Sequence, residues 1–115
     1  MHVQVMMFDG PRSAEAVAAA DRAGRERITP LVDAHPDLRE GLLGGLRCVA
    51  PDGAECVVVL ARDEAALDTL GRVVLSSELL PGEDPALLAG PDRVLRFTST
   101  DAFGPLAGLL AGVLR

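Results

Sequence analysis

The first apolar run, "HVQVMMF" from His2 to Phe8, is built of strand formers. It stops at "DGPRS", turn chemistry that also offers Ser13 as a helix N-cap. From Ala14 to Ala34 the period lengthens. Val17, Ala20, Gly24, Ile28, Leu31 and Val32 recur three or four apart, and Asp21, Arg22, Arg25 and Glu26 fall elsewhere, which predicts an amphipathic helix. Pro30 removes a backbone donor and crowds the carbonyl of Glu26, so a kink or a new short turn is expected there, and "HPDLREG" is expected to break the helix. Two apolar segments, Leu42 to Ala50 and Ala54 to Ala61, flank "PDG" and predict a hairpin. Gly44 and Gly45 in its first strand mark a bulge or a close backbone approach. "CVVVL" in its second is apolar on both alternating faces, as expected of a strand covered on both sides.

Asp63 is the expected N-cap of a second helix, with Ala66, Leu67, Leu70 and Val74 as its stripe, running to about Ser77. A loop follows in which Asp84 and Pro85 start a single helical turn, and "GPDRVLRFTST" then supplies a last strand from near Arg93 to Ser99. The tail, residues 101–115, predicts a short apolar helix with Leu106, Leu109, Leu110 and Val113 on one face.

Strand, helix, strand, strand, helix, strand is the β-α-β-β-α-β order of a ferredoxin-like α+β unit, a four-stranded antiparallel sheet with both helices on one face. Residues 1–100 make this domain and residues 101–115 lie outside it as the tail. A chain of 115 residues buries roughly two thirds of its unfolded surface, enough for one such core. The apolar residues on both strand faces leave the far side of the sheet in need of a cover, and a second copy of the same sheet is the economical one. A homodimer is therefore expected.

Charge narrows the partners. The 17 acidic residues outweigh 11 basic ones, all arginine, and a net charge of −6 argues against nucleic acid and anionic membranes. No apolar run reaches the roughly 20 residues of a spanning helix, and the amino terminus lacks the pattern of a cleaved signal, so a cytoplasmic protein is expected. Cys48 and Cys56 are too few for a disulfide framework and lie in apolar strand segments, where reduced cysteine behaves as a small hydrophobe.

"VQVMMFDG", "RITPLVDAHPDLREGLLGG", "CVVVLARDEAAL" and "GPDRVLRF" together resemble the dimeric α+β barrel proteins that include the antibiotic-biosynthesis monooxygenase-like domains. The resemblance covers about residues 2–99 and lies in fold patterns more than in chemistry. It implies a cavity for a hydrophobic or aromatic small molecule and, in some members, oxidation of polyketide-type substrates by oxygen without a cofactor. The Asn and Trp typical of active members are absent from this chain, as is the helix-borne His of the heme-degrading branch.

Alternation along the first strand separates Val3, Val5 and Met7 from His2, Gln4, Met6 and Phe8, and the wholly apolar set is expected to meet the helices. On the last strand it separates Val94, Arg96 and Thr98 from Arg93, Leu95, Phe97 and Ser99. With Leu95 and Phe97 under the helices, Arg96 would join Gln4 and Thr98 on the inter-sheet face near Met6 and Phe8, a mostly apolar pocket with a few polar groups. In an enzyme Gln4 and Arg96 would position or polarise a substrate oxygen and His2 would take a proton. The ligand would lie against Met6, Phe8, Arg96 and Thr98. A buried Arg96 would need a carboxylate such as Glu55, water or an anionic ligand; its alternative is a stem that runs along the dimer seam to solvent. His35, before Pro36, suits the end of a helix. Neither histidine has a second ligand at metal spacing, so no metal site is expected. The non-catalytic alternative is a binding or assembly module of the same fold.

Overall fold

The structure, a computed structural model, describes residues 1–113 of the chain. Four strands, β1 (His2–Phe8), β2 (Leu42–Val49), β3 (Glu55–Ala61) and β4 (Arg93–Thr98), form one sheet in the order β2-β3-β1-β4. Every neighbouring pair is antiparallel. The fold is a mixed α+β arrangement compatible with a ferredoxin-like unit.

Caps and turns place the elements. Ser13 accepts the backbone N–H of Ala16 at 3.1 Å and opens α1 (Ala14–Arg22), and Asp63 accepts that of Ala66 at 2.9 Å and opens α4 (Glu64–Ser76). The helix that starts at α1 widens into a π-helical stretch, Ala23–Ile28, before α2 (Thr29–Ala34). Pro30 has no N–H to give Glu26, and just upstream the N–H of Thr29 reaches five residues back to Gly24. The change expected at Pro30 thus takes the form of a π-helical stretch before it. "HPDLREG" does not only break the helix: Pro36–Gly41 forms a separate helix, α3, with Pro36 at its first position, where a missing N–H costs nothing. Leu38 of α3 is fully buried.

In the hairpin turn the N–H of Gly53 donates to Ala50 at 2.9 Å, and the Asp52 carboxylate accepts from the N–H of Ala54. The Asp52 carbonyl accepts the N–H of Arg12 at 2.9 Å, which ties the turn to the segment before α1. The glycine pair of β2 does both things its position suggested. Gly44, with φ 144°, sits where the register of β2 against β3 shifts, and a Cβ on Gly45 would lie 2.6 Å from the carbonyl oxygen of Val58. Asp84 accepts from the N–H of Ala86 and starts the single turn Pro85–Leu87. The tail forms α5 (Pro105–Leu110), in which Leu110 is buried while Leu106 and Leu109 are exposed. Leu114 and Arg115, the end of the predicted tail, lie outside the described residues.

The core is one-sided. Leu38, Val59, Ala61, Ala66, Leu67 and Leu70 are buried together, and Met6, Val32, Leu42, Val57, Val73 and Val74 pack around them. Val57, Val59 and Ala61 therefore point at the helices. Their partners on β1 are Met6, Gln4 and His2, and on β4 these face Val94, Arg96 and Thr98. This reverses the expected faces: His2, Gln4, Met6 and Phe8 lie under the helices, and Val3, Val5 and Met7 point away. Leu95 and Phe97 likewise lie on the open side, not under the helices. Alternation sets the period but not which face is inward, and a polar Gln4 is tolerated inside because a partner meets it.

On the open face Val3, Val5, Met7, Val58 and Leu60 are half-buried by their neighbours alone. Leu46, Phe97 and Leu95 are 68%, 53% and 41% exposed. No helix among the described residues is long and apolar enough to cross a membrane.

Candidate functional site

β1 carries its candidate residues in a line, so the sheet disperses them. His2 and Phe8 are six steps apart along the strand, about 20 Å at about 3.3 Å each. His2 lies opposite Ala61 and Thr98 at one end, Gln4 and Met6 sit over the core, and Phe8 is at the other end beside Glu55. His2 is therefore out of reach of anything bound near Phe8.

Gln4 and Arg96 do come together. Gln4 is 6% exposed, and its Oε1 accepts from Arg96 Nε at 3.0 Å. Arg96 Nη1 donates to Asp68 Oδ1 at 2.7 Å, from the outer side of α4. Arg96 meets Asp68 rather than Glu55, because it stands beside Gln4 near α4 while Glu55 lies opposite Phe8, four residues further along β1. Nε and Nη1 are both spent on protein groups. Thr98 is exposed, and Met6 packs on the core. Arg93, on the open face, makes only a long surface ion pair with Asp9 at 3.8 Å.

A second polar cluster escaped the sequence reading. Glu55, 6% exposed, takes Arg47 Nη2 at 2.8 Å and Arg12 Nη1 at 3.3 Å on the same oxygen. Arg47 also reaches Asp21 Oδ1 at 3.2 Å and the Val17 carbonyl at 3.2 Å, and Arg25 reaches the same Asp21 oxygen. The chain Arg12, Glu55, Arg47, Asp21, Arg25 alternates in sign and ends positive at both ends. Its members Arg12, Arg47, Asp21 and Arg25 line a groove of about 560 Å³ between α1 and the hairpin turn, which Asp52 also borders. The register of β2 against β3 sets Arg47 beside Val57, hence on the helix side next to Glu55, and only that pairing reveals the cluster.

Arg12 also borders a smaller cavity of about 260 Å³ with Phe8, Asp9, Ala16, Leu87 and Asp92. Its guanidinium stands 5.4 Å from the centre of the Phe8 ring, a cation–π contact. The cavity thus sets one aromatic ring and one cation beside the carboxylates of Asp9 and Asp92, and the Arg12 guanidinium is already bonded to Glu55 and to the Ala16 carbonyl. Of the residues expected at the ligand, Phe8 lines this cavity; Arg12, which lines both, is the candidate that sequence spacing does not reveal, and Glu55 pairs with Arg12 and Arg47 instead of with Arg96.

Elsewhere, Arg27 binds Glu83 Oε1 at 2.8 Å and Ser77 Oγ at 2.7 Å, and the N–H of Leu80 donates to the same Glu83 oxygen at 2.8 Å. The Leu80 N–H, helped by Arg27, holds the Glu83 carboxyl below its ordinary value against the opposing effect of burial. This ties the loop after α4 to the π-helical stretch and is structural. Among the described residues no group of three or more His, Cys, Asp or Glu side chains has metal-holding geometry. No protein-family model and no curated protein matches the chain.

Proposed function

We propose that the chain is a non-catalytic homodimeric module of the dimeric α+β-barrel kind. The open faces of two ferredoxin-like sheets meet, and a small hydrophobic or aromatic molecule binds beside Phe8. One observation supports it above the rest: Leu46, Leu95 and Phe97 stand exposed on a sheet face that also carries Val3, Val5, Met7, Val58 and Leu60, with the charged Arg93 at its end. Exposed apolar side chains gathered on one flat face favour an interface there, and a two-fold arrangement covers the same face on both copies.

The enzyme reading, a cofactor-independent monooxygenase-like activity on an aromatic or polyketide-like molecule, draws its support from the Phe8 cavity. It gains little from Gln4 and Arg96, which bind each other and Asp68.

Native mass spectrometry of the purified protein tests both parts. A dimer with added small-molecule mass supports the module and its ligand. A bare dimer supports assembly and removes the retained ligand. A monomer at micromolar concentration overturns the face-to-face arrangement. Phe97→Asp is expected to give monomer with an unchanged circular dichroism spectrum.

A further inference from the structure

The two cysteines share more than a strand pair. Cys48 on β2 and Cys56 on β3 are directly opposite in the register, so their side chains leave the same side of the sheet. That side is the open one, because Val57 and Val59, the alternate residues of β3, point to the helices. Cys48 is exposed and Cys56 half-buried. Directly opposed antiparallel residues have Cα atoms about 4.5–5.5 Å apart, within the roughly 4.4–6.8 Å that a disulfide spans. Their Cβ atoms, about 4.5–5.5 Å apart, must approach to about 3.5–4.5 Å. β2 can make that movement: it is the edge strand of the sheet, and its register already yields at the Gly44 bulge.

We infer that Cys48 and Cys56 form a reversible dithiol–disulfide pair on the open sheet face, oxidised by low-molecular-weight disulfides of the glutathione type. The order of attack follows from exposure. The Cys48 thiolate, in reach of solvent, attacks one sulfur of the small disulfide, forming a mixed disulfide and releasing one small thiolate. Cys56 then loses its proton to solvent and attacks the Cys48 sulfur, which closes the intrachain bond and expels the second small thiolate. Two protein thiols are oxidised and one small disulfide is reduced to two thiols. Partial burial pushes the Cys56 thiol up, and the neighbouring Cys48 and Glu55 push it further, which fits its place as the second, resolving thiol. The register carries this inference, and Cys48 is reached in the single chain, so where two open faces meet the reaction runs through the dissociated form that dilution favours.

Fully reduced protein, dilute, is incubated over a series of oxidised-to-reduced glutathione ratios, quenched with acid and alkylated. The expected result is loss of both free thiols together, a mass lower by two hydrogens, and no link between chains on a non-reducing gel. A Glu-specific protease cuts between Glu55 and Cys56, so the peptides carrying Cys48 and Cys56 should stay joined until reductant is added. Cys56→Ser is expected to accumulate a glutathione adduct on Cys48, and Cys48→Ser to react at least several-fold more slowly than Cys56→Ser. Persistent adducts on both cysteines of the unmutated protein, a bond between chains, or thiols that remain free at every ratio would each overturn the inference. The unmutated protein alone decides these outcomes, should a variant misfold.

Discussion

Gln4 lies beneath the helix layer because Arg96 meets its side-chain oxygen, and that dependence can be measured. Arg96→Met leaves a buried acceptor without its donor, an effect of about 1–3 kcal/mol. Urea denaturation should show this loss, and Gln4→Met together with Arg96→Met should recover most of it, since both polar ends are then gone. Asp68→Asn should cost less, within about 1 kcal/mol, because Asp68 and the tip of Arg96 meet near solvent. Equal losses for Asp68→Asn and Arg96→Met would show that the ion pair, and not the glutamine contact, is what matters. The same residues explain one reversal in the sequence reading. An apolar set was assigned to the core because apolar residues usually fill it, but the sheet has two faces to cover, and the polar set went inside with its own partner.

Single elements rest on local chemistry that a sequence displays well. Ser13, Asp63 and Asp84 cap where their positions say they should, and the Pro-Asp-Gly turn closes the hairpin. These were legible because each depends on residues a few positions apart. The Arg12–Glu55–Arg47 cluster was not, because its members are joined only by strand register and by the docking of the turn on the Arg12 backbone. The facing cysteines carried a local signal, since Cys48 and Cys56 stand at equal distances from Asp52 at the centre of the turn. Two predictions belong here. Gly45→Ala forces a methyl group against the Val58 carbonyl and should lower stability by about 1–3 kcal/mol, read by thermal or urea unfolding; an unchanged midpoint would mean that β2 moves aside freely. Glu83 titrates below its ordinary value of 4.5 when folded, so the unfolded chain binds its proton first as the pH falls. Its contribution is complete above about pH 4.5 and is lost as the pH falls from there through the lower folded value. Glu83→Gln should flatten the acid limb of the stability profile in that window, and an acid limb as steep as before would remove Glu83 from the account.

At the scale of the molecule the open face is small for a stable dimer. Four strands about 4.8 Å apart and about seven residues long make a face of roughly 400 Å² in projection, at the small end for an interface that buries about 800 Å² of accessible surface per partner. A dimer that needs more apolar surface than this has exposed side chains to draw on in the tail, Phe103 and Leu109 at 90% and 82%, and on α4, Leu75 at 88%. Association stabilises only the folded state, so the unfolding midpoint of a homodimer rises with protein concentration. Phe97→Asp should abolish that rise while leaving the dilute-limit midpoint nearly unchanged, since Phe97 is half-exposed in the single chain. Phe103→Ser with Leu109→Ser should weaken the rise without abolishing it, if the tail adds to an interface centred on the sheet. A rise lost with the tail pair but kept in Phe97→Asp would move the interface off the sheet and onto α5. A midpoint independent of concentration in the unmutated chain would leave the open face to a partner other than a second copy.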